Sequence, residues 1–338
     1  MNLLRKLLLP FVPFYFLVTW LRNKMYDFGI KKSVAYSFPV IVVGNLSVGG
    51  TGKSPMVEYL ISLLKDKFVL ATLSRGYKRE TKGFQIVKSS STAKEVGDEP
   101  LQFKKKFEDI VISVDEDRQN GISNLRCLSP QPEVILLDDA YQHRKVKAGF
   151  YILLTAYYDL YYEDIVLPTG NLREPRKGAN RADVIVVTKC PDDISFEERG
   201  AIARKLKLQP NQYLFFATIN YQKSIVSASG LKSLDSLQGV SFTLVTGIAN
   251  PKPLLDFYMS LGLKFDHINF LDHHNFTNEE LIKLNNLEFI ITTEKDYVRL
   301  SKDIISDRLW YQPIEMMFIN NSDIFDTKVL EYVKNEMK

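Results

Sequence analysis

The chain has 338 residues, a formal net charge of +4, 45% hydrophobic residues and 25% charged residues. That length accommodates one large or two ordinary domains with proper cores, and the composition excludes both a disordered chain and a polytopic membrane protein. The charge is too mild to indicate a nucleic-acid partner, and Cys127 and Cys190 lack metal-ligand spacing and cannot build a disulfide framework.

Arg5 and Lys6 precede an aromatic and aliphatic run, Leu7 to Leu21, broken by Pro10 and Pro13 and followed by Arg22, Lys24, Lys31 and Lys32. A spanning helix needs about 20 apolar residues, so this run is too short and kinked to cross a bilayer. No small-residue cleavage site marks it as a secretory signal. Residues 1–32 are therefore expected to form a membrane-associating helix, apolar side in lipid and cations on anionic headgroups. A helix packed on the protein's own body is the alternative.

The next segment carries the strongest chemical signal. A continuous apolar run, Val40-Ile41-Val42-Val43, leads into Ser47-Val48-Gly49-Gly50-Thr51-Gly52-Lys53-Ser54, and an apolar-periodic segment follows from Met56 to Leu64. Strand, glycine loop, Lys-Ser and helix is the layout that cradles nucleotide phosphates on backbone amides and a helix N-terminus. Lys53 is placed to reach the β- and γ-phosphates, and the Ser54 hydroxyl to complete the shell of a Mg²⁺ ion. Ser47 stands where the usual pattern has Gly.

Further along, Phe68–Leu73, Ile110–Val114, Val134–Leu137, Val184–Val187 and Tyr213–Ala217 read as buried strands, separated by helical stretches such as Ser195–Leu206. Unbroken rather than alternating hydrophobicity implies strands covered on both faces. The fold class is α/β, a P-loop NTPase-like, doubly wound and mostly parallel sheet, with ligands at the carboxyl ends of the strands. The aromatic segment Phe150–Tyr162 reads as core packing rather than as a surface for acyl chains. A Ser-, Gly- and Lys-rich stretch, Lys223–Gln238, marks a hinge or linker. It divides a kinase domain, 33–222, from a smaller C-terminal α/β domain, 223–338. In the latter, Phe242–Thr246 and Phe289–Thr293 are expected strands, and Thr277 to Glu280 form a capping box with Phe276 and Leu281 as its staple.

Val134–Leu137 ends on Asp138-Asp139, an acidic strand end suited to the metal of a nucleotide–Mg²⁺ complex. Gln142 and His143 follow closely. Basic clusters at Lys104–Lys106, Arg144–Lys147 and Arg173–Lys177 suit an anionic substrate.

An ordered set of motifs resembles the tetraacyldisaccharide 4′-kinases, the lipid A 4′-kinases of Gram-negative bacteria. It begins with Asn45 to Pro55, where that family commonly opens the loop with a small hydroxyl residue such as Ser47. It continues through Ser74-Arg75-Gly76-Tyr77, Val96-Gly97-Asp98-Glu99-Pro100, Asp138 to His143 and Leu167 to Pro175. It resumes at Gly247 to Pro251, Asp272-His273-His274 and Thr293-Glu294-Lys295-Asp296, and so spans nearly the whole chain. One departure is Ala140, where the family usually has Gly, which places extra bulk after the acidic pair.

The resemblance implies transfer of the ATP γ-phosphate to the 4′-hydroxyl of a tetraacyldisaccharide 1-phosphate, yielding lipid IVA. It implies a peripheral or monotopic enzyme on the cytoplasmic face of the bacterial inner membrane, with membrane lipids as partners of the N-terminal helix. A monomer is expected. The resemblance points to Asp98 as the base, Glu99 in support, and His273 as an imidazole partner that raises the effectiveness of Asp98. That pair is expected to form only when the two domains close. Arg75, Gln142, His143, Asn171, Arg173 and Glu174 complete the acceptor side.

Two rival readings weigh less. A GTPase needs a guanine-reading Asn/Thr-Lys-x-Asp, and Thr188-Lys189-Cys190-Pro191 offers proline where the carboxylate belongs. A membrane-associated ATPase or scaffold without an acceptor has no arginine-finger or oligomer signature to support it.

Overall fold

The computed structural model describes residues 3–338. Nine strands form a large sheet: β1 (Val40–Asn45), β2 (Leu70–Ser74), β3 (Gln85–Ile86), β4 (Val111–Val114), β5 (Val134–Asp138), β6 (Phe150–Ala156), β7 (Val184–Thr188), β8 (Tyr213–Tyr221) and β9 (Ile314–Phe318). Their order is β9-β8-β7-β6-β1-β5-β2-β4-β3. Neighbours from β8 to β4 pair parallel, while β9 and β3 close the edges antiparallel. Alternate residues of β1 feed two cores, Ile41 and Val43 into one and Val40 and Val42 into the other. A strand buried on both sides has no face to leave polar, which is why its sequence does not alternate.

A second sheet of six strands contains Phe242–Thr246, Phe265–Asn269, Ile290–Thr293 and Leu309–Gln312, which pair parallel. The stretch read as a hinge, 223–238, is instead ordered: Ser224–Ser227 and Gly230–Ser233 form an antiparallel hairpin on this sheet. After Leu309–Gln312 the chain returns to the large sheet as β9, and the helix Ser322–Glu336 packs its Phe325, Val329 and Val333 into the first core. Residues beyond 223 thus serve both sheets. The aromatic segment supplies β6, a central strand, and its core reading holds there and at Leu160 and Tyr161, which are buried in the second core; Tyr158 is exposed.

The N-terminal run folds as a short helix (Leu3–Lys6), a 3₁₀ turn (Leu9–Phe11) and a helix from Val12 to Asp27. One side is docked: Val12 and Tyr15 pack on the second core, and the Tyr15 hydroxyl donates to the Arg173 carbonyl at 3.0 Å. The other side leaves Phe14 71%, Leu17 55% and Leu21 51% exposed. Among the described residues, no helix is long and apolar enough to cross a membrane.

A buried polar cluster joins three helices. Lys106 ends the helix Asp98–Lys106, and its Nζ lies 2.6 Å from Glu58 on the helix Lys53–Leu64 and 3.0 Å from Glu294 on the helix Glu294–Leu300. Gln102 donates to both carboxyls at 2.8 and 3.1 Å. Burial, then repulsion from Glu58, pushes Glu294 up to about 8 against the pull of Lys106. Burial raises Glu58 as well. With one cation between two carboxyls, burial and mutual repulsion favour a proton on the pair. Breaking such a site strands a charge, so Lys106→Met is expected to destabilise the fold by ~3–5 kcal/mol at pH 8. The loss shrinks at pH 6, because groups with raised folded pKa values take up protons as pH falls. Denaturant unfolding at both pH values checks this; an equal loss at each contradicts it.

Candidate active site

Strand β1 ends at Asn45, and the chain turns through Leu46 to Gly52 before the 12-residue helix Lys53–Leu64 begins. Gly52 sits at φ 81°, a left-handed conformation that only glycine adopts at no steric cost. The loop is pinned from outside. The Val48 amide donates to the Asn171 carbonyl at 2.8 Å, Ser47 bridges to Leu172, and the Thr188 hydroxyl donates to the Thr51 carbonyl at 2.8 Å. Inside, Thr51 Oγ1 and Asn45 Nδ2 are buried without a partner. Lys53 Nζ stands 3.5 Å from Asn45 Oδ1 and 3.7 Å from Asp139 Oδ1.

Asp138, the last residue of β5, accepts from Ser74 Oγ at 3.2 Å, and its carbonyl accepts from the buried Arg118 at 3.4 Å. Burial first, then the charges of Asp139 and Glu99, push the Asp138 carboxyl up to about 7 despite Lys53. Asp139 takes the left-handed turn (φ 46°), so Ala140 has no need of glycine's freedom and tucks into the core. Burial opposes ionisation of Asp139, but Lys53 and Arg173 outweigh it and lower its pKa. Arg173 Nη1 donates to both Asp139 oxygens at 3.1 and 3.2 Å.

A carboxyl raised in the folded state contributes stability that is present below its unfolded pKa and lost as pH rises through about 7 for Asp138. Asp138→Asn is accordingly expected to raise the melting temperature of the nucleotide-free protein at pH 8 and to change it little at pH 5. A fall at pH 8 counts against this.

The third element is Asp98, first residue of its helix. Gly97 before it sits at φ 91°, and a Cβ there would lie 3.2 Å from both the Gly76 backbone and the Tyr77 carbonyl. Asp98 is buried and fully engaged. His273 Nδ1 lies 2.9 Å from its Oδ2, Arg299 Nε donates to Oδ1 at 3.0 Å, and Arg299 Nη2 donates to Oδ2. Burial alone would raise this carboxyl, but the bonds from His273 and Arg299, with the charges of Arg299 and Lys295, hold it well below the usual carboxylate range. This corrects one expectation: a donor at Asp98 stabilises the ionised form and lowers its basicity rather than raising it. The pair is formed here, with His273 held at φ 60° and its amide bonded to the Gly247 carbonyl at 3.2 Å. Glu99, beside Asp98, ion-pairs with Lys295 at 3.4 Å and lies close enough to Asp138 to raise it, which links the two carboxylate groups.

The remaining expected residues divide. Arg75, just after β2, is exposed and makes no ion pair among the described residues. Gln142 bridges the Asn45 carbonyl (2.8 Å) and Glu174 (3.1 Å). Glu174 is buried, its oxygens taken by Arg181 (2.7 and 3.0 Å) and Asn23 (2.6 Å). Asn171 Oδ1 accepts from Arg5 at 2.8 Å. Glu174 and Asn171 therefore act as struts that fasten the N-terminal helix to the loop wall. His143 lines a cleft of about 700 Å³ under the end of that helix, and burial, with Arg118, lowers it to about 4, so it is neutral.

Sequence reasoning missed Arg118, Arg299 and a role for Lys295. It also gave no role to Lys189, whose Nζ lies 3.7 Å from where a Gly50 side chain would begin. Arg299 stands 201 residues from Asp98, beyond any local spacing rule.

Comparison with known proteins is consistent with this geometry. The model of the LpxK family, tetraacyldisaccharide-1-P 4′-kinase, matches residues 4–334. The tetraacyldisaccharide 4′-kinases of Flavobacterium johnsoniae and Flavobacterium psychrophilum are 50% and 49% identical to the chain, covering 100% and 99% of it and 100% and 98% of themselves. A crystal structure of LpxK from Aquifex aeolicus in complex with ATP aligns with a TM-score of 0.79 at 31% identity, over 98% of this chain and 100% of that one. With a full-length family match, half of all positions identical to a relative and the same fold, the chain belongs to the tetraacyldisaccharide 4′-kinase family.

Proposed function

We propose that the chain carries out its family's reaction, ATP-dependent phosphorylation of the 4′-hydroxyl of a tetraacyldisaccharide 1-phosphate, at the junction of the glycine loop and the Asp98–His273 pair. The observation that supports this most is the convergence of three groups: the Lys53 loop, the Asp138–Asp139 strand end, and Asp98 with Glu99. The loop amides and Lys53 hold the triphosphate, and its oxygens satisfy the orphaned Thr51 hydroxyl and Asn45 amide.

Mg²⁺ fits the donor set. The Ser54 hydroxyl and the carboxylates of Asp138 and Asp139 are hard oxygen ligands, and the mutual repulsion of Asp138, Asp139 and Glu99 favours a cation among them. Bound there, the ion neutralises charge on the phosphates. Asp98 receives the proton of the acceptor hydroxyl. It is ionised throughout the physiological range, and a loose phosphoryl transition state demands little driving force from the base. His273 orients that carboxylate. Arg75 is free to meet the acceptor's phosphate, and Arg173 can move to it from Asp139.

The uncovered apolar side of the helix Val12–Asp27 fits a peripheral location on the cytoplasmic face of the inner membrane. An acyl chain leaving lipid costs about 0.8 kcal/mol per CH₂, so docking on the surface avoids extracting the acceptor. The large sheet, completed by Ile314–Phe318, and the second sheet then bring the loop and His273 to one acceptor. Incubation with γ-labelled ATP and a tetraacylated disaccharide monophosphate in mixed micelles tests the proposal. Label in a bis-phosphorylated lipid supports it; release of labelled phosphate alone refutes it.

A further inference from the structure

Resting on the reading of Asp98 and His273 as a catalytic pair, we propose that Lys295 and Arg299 are positioning residues: Arg299 fixes the Asp98 carboxylate, and Lys295 fixes which imidazole nitrogen of His273 carries the proton. The two cations lie four residues apart on the helix Glu294–Leu300 and so share one face of it. The helix is itself firmly seated. Thr293 caps it through the Asp296 amide, and the buried Asp296 accepts from the Gly247 amide at 2.8 Å, from Thr293 Oγ1 at 2.7 Å and from Arg299 at 3.3 Å.

The donors around the ring settle its proton. Lys295 Nζ lies 2.9 Å from His273 Nε2. An ammonium only donates, so Nε2 must offer its lone pair, and a neutral imidazole then carries its hydrogen on Nδ1. That hydrogen points at Asp98 Oδ2, 2.9 Å away. Arg299 Nη2 biases the ring the opposite way, because it too lies 2.9 Å from Nδ1 and also only donates. Left to Arg299 alone, the ring would gain by moving its proton to Nε2, losing the Asp98 bond. Lys295 breaks that tie.

Every charged group facing the ring is thereby engaged. Lys295 is held by Glu99 at 3.4 Å, Arg299 by Asp98 and Asp296, and Tyr77 meets the ring edge-on with centroids 5.7 Å apart. Arg299 grips Asp98 through two nitrogens, a fork that lysine cannot reproduce.

A double-mutant cycle on the full chain tests the inference. Lys295 is partly exposed, so Lys295→Met is expected to fold, to lower kcat by about 10- to 100-fold and to leave the KM for ATP unchanged. Lys295→Arg, which keeps a donor at Nε2, should recover most of that loss. In a His273→Ala background, Lys295→Met should cost nothing more, since its effect passes through the ring. Arg299→Lys is expected to lower kcat with the KM for ATP unchanged. An equal loss from Lys295→Met with and without His273, or a raised KM for ATP with kcat intact, overturns the positioning role. Normal turnover of His273→Ala alone overturns the underlying reading of the pair instead.

Discussion

Lys53→Ala is expected to raise the KM for ATP and to lower kcat together, by about 10²-fold or more in kcat/KM. The effect is electrostatic and local. Lys53 stands at the head of the helix Lys53–Leu64, and its Nζ lies 3.7 Å from Asp139 Oδ1 at the acidic strand end. Its ammonium therefore meets charge that is present on bound ATP and also charge that grows as the phosphoryl group leaves, so both constants move. Removing it also withdraws the charge that does most to keep Asp139 ionised. Steady-state kinetics with direct nucleotide binding measures this. An effect on neither constant would remove the phosphate-loop reading.

Asp98→Asn should have the opposite signature, a fall in kcat of about 10²–10⁴-fold with ATP affinity little changed. Asparagine keeps the shape and can still accept from Arg299, so the protein is expected to fold, but it cannot take up the acceptor's proton. Arg299 and His273 hold the native carboxyl far below its ordinary range, so the acid limb of the rate profile should not be set by Asp98 near the usual carboxylate value. Near-normal turnover in the variant would exclude Asp98 as proton acceptor.

The parts of this enzyme that are legible in sequence are those whose physics is local. Val134–Leu137 reads as a strand because four apolar residues in a row suit only a doubly covered element, and the observed strand runs one residue further, to Asp138. The capping box at Thr277 and Glu280 reads directly, since both of its reciprocal bonds span three residues. Strand β9 is not legible in the sequence. Ile-Glu-Met-Met-Phe is a mixed, partly exposed edge strand whose partner, β8, lies roughly a hundred residues earlier. The loop, the acidic strand end and the pairing of Asp98 with His273 came from motifs, whereas Arg299 came from none: one arginine on a helix carries no signal until the fold lays it on Asp98. Motif membership gave no hint of the contacts by which Asn171 and Glu174 fasten the N-terminal segment to the loop wall.

The most direct test is a crystal structure of the enzyme with a non-hydrolysable ATP analogue, Mg²⁺ and the acylated disaccharide 1-phosphate. The analogue's terminal phosphate is expected beside Lys53, the acceptor 4′-oxygen aimed at it, and an Asp98 carboxylate oxygen within roughly 2.6–3.2 Å of that oxygen. An acceptor hydroxyl facing some other base, with both Asp98 oxygens still held by Arg299 and His273, would contradict it.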